Sequence, residues 1–432
     1  MSEDSHSHSD AQSDSNDQVQ EHGHSHDHDH DHGHSHGHDH GGHGHCSHSH
    51  DLSSEQDAEM EAISSVVASF LYYKTYALNN AIYRRLKCID DLSEAHRMTV
   101  ASLGTIDKIK QAEELIRENY KVMLDIVYSS TVGSMPDPAD GTGAFKEWLK
   151  RFIESRESAG KQVASESHMK KLYGTMKLFV RDWSSEGAEE RRLTYGPLVA
   201  ALEDEFSTVA SDSRGDLNVL VPGAGLGRLA YDICCRGFST QGNEFSYFML
   251  FASNYILNRS LKEDQHTLYP YVHQFSHVAC TEDQMRAVHF PDALPRNMPY
   301  SATADFSMIA GDFVEVYSAD DEKEKWDAIV TCFFMDTAKN VLAYLDTIWH
   351  ALKPGAVWIN LGPLLWHFDN VAGESSIEFT RDEFIELVKK TGFVFDEAKF
   401  KEDIALPYTA DPKSMLQYTY SAFMCVARKP SM

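Results

Sequence analysis

Three glycines at alternating positions, Gly223, Gly225 and Gly227, follow the apolar run Val219–Val221, and a carboxylate, Glu244, stands 17 residues beyond the last of them. A glycine turn at the end of a buried strand lets the backbone approach a ligand without a Cβ in the way. An acid closing the next strand can accept hydrogen bonds from both hydroxyls of a ribose. A dinucleotide fingerprint would require glycine where this chain has Arg228. The G-x-G-x-G spacing suits S-adenosylmethionine (AdoMet), which has no pyrophosphate to rest on a helix N-terminus. Two further features fit that donor. Asp312 and Phe313 end the segment FSMIAGDF, where an acid can bind the adenine amine and an aromatic ring can cover the base; Arg181, in KLFVRDWS, can reach the donor's carboxylate.

The acceptor side is expected from later strand ends. Enzymes that methylate amide or adenine amines often carry Asn or Asp, Pro-Pro and an aromatic after the fourth strand. This chain has CFFMDTAKN, with Asp336 and no Pro-Pro, which counts against nucleic-acid adenine and protein glutamine. NLGPLLWHF brings Asn360, Trp366 and His367 to the expected mouth of the same crevice.

These residues need a parallel sheet to hold them. The sequence predicts strands at Val219–Val221, before Glu244, at Phe306–Phe313, Trp326–Phe334 and Ala356–Gly362, and a late strand over Tyr418–Arg428. Helices are predicted over Arg228–Arg236, Asn340–Leu352, stopped by Lys353, Pro354 and Gly355, and Arg381–Thr391. In this order they describe a seven-stranded, Rossmann-like class I methyltransferase sheet within residues 207–432, with an insertion at 261–304 as a lid or substrate wall. Residues 54–206 read as a helical accessory region, with Phe70, Tyr72, Tyr73 and Tyr76 as packing residues and SMPDPADGTG at 134–143 separating two helical groups.

The N-terminus is different in kind. Between His6 and His50 lie 16 of the 24 histidines, interleaved with Asp, Ser and Gly. Too few apolar side chains are present to offset ordering entropy, so residues 1–53 are expected to be disordered. Their imidazoles and carboxylates, with Cys46 nearby, have the capacity to hold a divalent metal, but no catalytic metal is expected. The formal charge is −27, and residues 1–60 contribute about half of it, having no Lys or Arg. An acidic chain argues against nonspecific polyanion binding. No apolar run approaches the ~20 residues of a membrane span, and the N-terminus does not read as a secretory signal. Scattered cysteines suit a reducing, cytoplasmic or nuclear setting. Whether the chain forms a homodimer is open.

The segments PGAGLGRLA, QGNEFS, GDF-E-Y, FFMDTA, NLGPLLWHF and SMLQYTYSAFMCVARK resemble the carnosine N-methyltransferase family, over roughly residues 60–430. That family methylates the imidazole of β-alanyl-histidine to anserine. The resemblance implies AdoMet contacts at Arg181, Gly223, Gly225, Glu244, Asp312, Phe313 and Cys332, with Gly227 completing the glycine turn. It implies substrate contacts at Asp336, His367 and a tyrosine of QYTY, Tyr418 or Tyr420. One departure is Leu178, where the family often has Gln, so one donor contact is in doubt.

The chemistry needs no strong base. A histidine imidazole with pKa ~6.5 is mostly neutral near pH 7 and offers a lone pair to the sulfonium methyl. The enzyme must choose the nitrogen. The expectation is methylation at Nπ, with the other nitrogen's N–H accepted by Asp336 or His367. The rivals are a methyltransferase acting on histidine within proteins and, more remotely, a metal-buffering protein whose methyltransferase fold has lost activity.

Overall fold

A computed structural model describes residues 52–130, 144–160, 163–298 and 304–431. The expectations for residues 1–51, including the histidine run and Cys46, and for the 134–143 separator lie outside the described residues. No described helix is long and apolar enough to cross a membrane.

Seven α-helices precede the sheet: α1 (Leu52–Ala77), α2 (Arg84–Asp90), α3 (Glu94–Ser102), α4 (Thr105–Ser130), α5 (Ala144–Ser158), α6 (Glu166–Trp183) and α7 (Ala188–Glu205). A π-helical stretch, Leu78–Tyr83, joins α1 to α2. Phe70 and Tyr73 are fully buried. The apolar faces of α1, α4 and α6 share one core with α9 (Tyr247–Arg259) and with Leu268 and Phe290 of the 261–304 excursion. That excursion forms an antiparallel pair, β3 (His266–Leu268) and β4 (Val288–Phe290), and a short helix, α10 (Thr281–Gln284). It is docked through buried polar groups: Asn119 of α4 donates to the Tyr269 carbonyl and to the Tyr73 hydroxyl, which lies 2.6 Å from His273 Nε2. Burial pushes the His273 imidazole down to about 3, so it is neutral at ordinary pH.

The main sheet begins with β1 (Asn218–Pro222), α8 (Arg228–Cys234) and β2 (Ser239–Glu244). It continues through β5 (Phe306–Ala310), α11 (Phe313–Tyr317), β6 (Trp326–Cys332), α12 (Val341–Ala351) and β7 (Leu352–Gly362). It closes with α13 (Arg381–Thr391), β8 (Val394–Phe395), β9 (Lys401–Leu406) and β10 (Tyr420–Arg428). The strand order is β5-β2-β1-β6-β7-β10-β8, with β9 also on β10. β5, β2, β1, β6 and β7 run parallel, and β10 enters antiparallel. Strand alternation builds both faces. Val219 and Val221 point toward α7 and α8, and Leu220 joins the core beneath α12 and α13.

The α/β class is as expected, with two differences. The sheet has eight strands, because the position beside β10 is divided between the two-residue β8 and β9. Lys353, Pro354 and Gly355 do not follow a helix as a loop: they lie in β7, where the register against β6 shifts between Trp326 and Ala328 and a bulge absorbs them.

Candidate active site

A cavity of about 1460 Å³ opens at the carboxyl ends of β1, β2 and β6, where open α/β sheets bind ligands. Gly223, Gly225, Glu244, Asp312, Phe313 and Cys332 line it, and α6 adds Arg181. Gly223 and Gly225 have φ of +64° and +55°, and a Cβ on Gly223 would stand 2.6 Å from the Phe334 ring. Glu244 is held by backbone donors: Oε2 accepts from Gly225 N–H at 2.8 Å, and Oε1 from Phe245 and Ser246 N–H at 2.9 and 2.8 Å. Burial raises its pKa, and those N–H groups oppose the rise. Asp312 commits Oδ1 to Val314 and Glu315 N–H as the N-cap of α11, so β5 ends at Ala310 and Phe313 opens a helix. Phe313, Phe334 and Tyr344 form an aromatic wall, with Phe313 5.3 Å from Phe334 and 5.4 Å from Tyr344. Burial pushes the Cys332 thiol up to about 12, so it remains protonated.

Arg181 is only 6% exposed. Its Nε lies 2.8 Å from Glu190 Oε1, off the hydrogen-bond direction, and its guanidinium sits between the Tyr195 and Tyr408 rings. Its Nη2 is buried with no hydrogen-bond partner among the described residues. A buried donor left unmatched costs about 1–3 kcal/mol, and a ligand carboxylate would satisfy it. The open cradle of Gly225, the clamped Glu244 and this donor together fit AdoMet. The cradle is braced from behind by Asp292 of the excursion, which accepts from Arg228 at 2.6 Å and Arg191 at 2.5 Å. Trp183 Nε1–H donates to the Leu226 carbonyl. Among the described residues, none of the excursion lines either cavity; the contacts it does make to the cradle are those of Asp292.

Beyond the Phe333 and Tyr408 rings, 4.9 Å apart, lies a second cavity of about 20 Å³. It is lined by Asp336, His367 and Tyr420, together with Pro363 and Leu365, and Phe333 and Tyr408 line both cavities. As closed here it holds about one water, so an imidazole enters only as these side chains shift. Asp336 Oδ2 accepts from Leu365 N–H at 2.8 Å, and the Asp336 carbonyl accepts from His367 N–H at 3.1 Å. Burial pushes the Asp336 carboxyl up to about 7, against the Leu365 hydrogen bond. Tyr418 donates to the Tyr408 carbonyl and sets its ring edge-on to Tyr420 at 6.1 Å.

Some residues fall elsewhere. Gly227, at φ +82°, precedes α8 and does not line the cavity. Asn360 is turned into the sheet, where its Oδ1 accepts from Thr331, and Trp366 donates to the Phe379 carbonyl; neither lines a cavity. The sequence reading missed Tyr344, Tyr408 and the partition role of Phe333. It also missed Ala58, Glu59, Glu61 and Ala62 of α1, which form part of the large cavity's wall. Phe333 holds a φ of +52°, which is strained for a bulky side chain, and a Cβ on its neighbour Gly362 would stand 3.1 Å from the Phe333 backbone. The adjacent aromatics at a strand end were the available signal.

Residues 159–431 match the family model described as Carnosine N-methyltransferase. The carnosine N-methyltransferase of Rattus norvegicus is 40% identical over 378 residues, covering 87% of this chain and 88% of the relative. The Drosophila melanogaster protein named carnosine N-methyltransferase unmet is 36% identical, covering 87% and 81%. The Schizosaccharomyces pombe carnosine N-methyltransferase is 34% identical, covering 86% and 96%. With a methyl-donor cradle at the sheet's carboxyl edge and a carboxyl-lined chamber behind it, this chain belongs to the carnosine N-methyltransferase family.

Proposed function

We propose that this chain transfers a methyl group from AdoMet to the imidazole Nπ of carnosine, giving anserine and S-adenosylhomocysteine. The supporting observation is that Phe333 and Tyr408 line both the donor cavity and the cavity that holds Asp336 and His367.

AdoMet, when bound, supplies a methyl group on a sulfonium. Arg181 Nη2 takes its carboxylate, Glu244 accepts the ribose hydroxyls, Asp312 Oδ2 accepts the adenine amine, and Phe313 covers the base. In the acceptor chamber, Asp336 or His367 accepts the N–H of the ring nitrogen that is not methylated. That contact selects the tautomer and turns the other lone pair toward the donor. Asp336 as carboxylate also stabilises the positive charge that grows on the ring. Tyr420, with Tyr418 behind it, walls the ring in.

The test is methyl transfer from labelled AdoMet to carnosine, with the product position read by NMR. Anserine is expected; a product methylated at the far nitrogen would overturn the orientation. Competition between carnosine and a histidine-containing protein separates the dipeptide reading from the protein-histidine one.

A further inference from the structure

We infer that Glu190 is a positioning residue for methyl transfer: its carboxylate latches the backbone behind Tyr408 and so sets the wall of the acceptor chamber. The inference rests on the reading above that the acceptor ring sits behind that wall.

The wall stands where the chain has little regular support. Tyr408 lies in residues 407–419, which join β9 to β10 without a helix or a strand. Thr409, immediately after it, holds a φ of +49°. A β-branched residue rarely adopts this left-handed region, and it stays there only when its surroundings impose it. Phe333, the other half of the wall, has the same kind of backbone at +52°. Both rings are therefore carried by conformations that something else must hold.

At Thr409 that holder is Glu190. It stands near the start of α7, outside the sheet, and is only 8% exposed. Its Oε1 accepts from Thr409 N–H at 2.8 Å, across 219 residues of sequence. The same oxygen lies 2.8 Å from Arg181 Nε, and the Arg181 guanidinium packs on the Tyr408 ring, 4.7 Å from its centre. One carboxylate thus reaches the wall twice, at its backbone by a hydrogen bond and at its ring through Arg181. Glu190 lines neither cavity, so it acts through these two residues and not on a ligand. The rest of the segment has its own ties: Tyr418 donates to the Tyr408 carbonyl, Arg286 to Asp411 at 2.6 Å, and Met415 N–H to the His277 carbonyl at 2.8 Å. Loss of the Glu190 bond therefore loosens the wall and leaves the segment attached.

Three substitutions separate the hydrogen bond from the charge. Glu190→Gln keeps an acceptor oxygen at the same reach and removes the charge. Glu190→Asp keeps the charge but is one methylene too short for Thr409, and Glu190→Ala removes both. The experiment uses the full chain, measuring kcat/KM for carnosine at saturating AdoMet and amide hydrogen exchange in a peptide spanning Thr409. Glu190→Asp and Glu190→Ala are expected to lower kcat/KM about 5–50-fold, the cost of a buried N–H left unmatched, and to speed exchange at Thr409. Glu190→Gln should stay within about twofold of the unsubstituted enzyme on both. The reverse order, with Glu190→Asp mild and Glu190→Gln severe, would mean that charge beside Arg181 is what matters and overturns the latch. Unchanged exchange in Glu190→Asp and Glu190→Ala overturns it too, as does faster exchange with unchanged kcat/KM. If Glu190→Ala fails to fold, the Glu190→Asp and Glu190→Gln pair decides. If the unsubstituted enzyme binds AdoMet without methylating carnosine, the dipeptide reading falls; the expected order, seen in exchange and in transfer to a histidine-containing peptide, then still supports the latch.

Discussion

The donor cradle and the acceptor chamber share a wall but are built on opposite plans. The cradle is local at its centre: Gly223 to Glu244 are 22 consecutive residues, to which Arg181, Asp312 and Phe313 are added from elsewhere, and its Glu244 carboxylate is held by backbone N–H groups. The acceptor chamber is assembled from Phe333–Asp336, Pro363–His367, Tyr408 and Tyr420, four chain segments whose side chains meet only in the fold. Backbone donors fix geometry almost regardless of side-chain identity, whereas a chamber of side chains is tuned by each one. Losses in the cradle should therefore fall on donor affinity, and losses in the chamber on turnover.

The largest effect is expected at Asp336. Asp336→Asn should lower kcat by a factor on the order of 10²–10⁴, with the Kd for AdoMet within about twofold, checked by calorimetry and steady-state assay. Full kcat in both Asp336→Asn and His367→Ala would remove the chamber from catalysis. Next, Arg181→Lys keeps the charge but loses the directed donor, and should raise the AdoMet Kd about 10–100-fold. An equal rise in the carnosine KM would show that the Tyr408 ring over Arg181 couples the two regions.

A third expectation concerns pH. Burial pushes the Asp336 carboxyl up to about 7, from an ordinary value of 3.8. Its neutral form is favoured by folding, so its contribution to stability is fully present below pH ~4 and lost as pH rises through about 7. The span is on the order of 4 kcal/mol. Turnover should rise over the upper part of that window as the acceptor carboxylate forms. Asp336→Asn should flatten both curves, and a Tm profile that matches that of the unsubstituted protein would refute the assignment. The smallest effect is expected at Leu178, buried against the donor cavity. Leu178→Gln should lower the KM for AdoMet about 2–10-fold, the value of one restored hydrogen bond, with kcat unchanged.

The same contrast decided what could be read from sequence. Glycines at fixed spacing and a following acid carry their meaning locally, so the cradle was legible. Asp336 and His367 were legible as polar residues at strand ends. Asn360, also at a strand end, was misplaced, because alternation along β7 turns it into the sheet toward Thr331, which no spacing rule reveals without the register. Tyr408 sits in a loop without periodicity, and the α1 wall lies more than 100 residues from the glycines. β9 escaped notice because Lys401, Glu402 and Asp403 are exposed charges rather than an alternating strand.

That divided edge has a consequence for assembly. A sheet invites another chain wherever a long, flat rim leaves its N–H and C=O groups unpaired. Here the rim beyond β10 is a two-residue strand and a short one opening on three charges, with a register shift against β10 between Ala422 and Met424. Such a border is a poor template for continuing the sheet into a neighbour. If two copies associate, they do so elsewhere than by continuing the sheet across this edge.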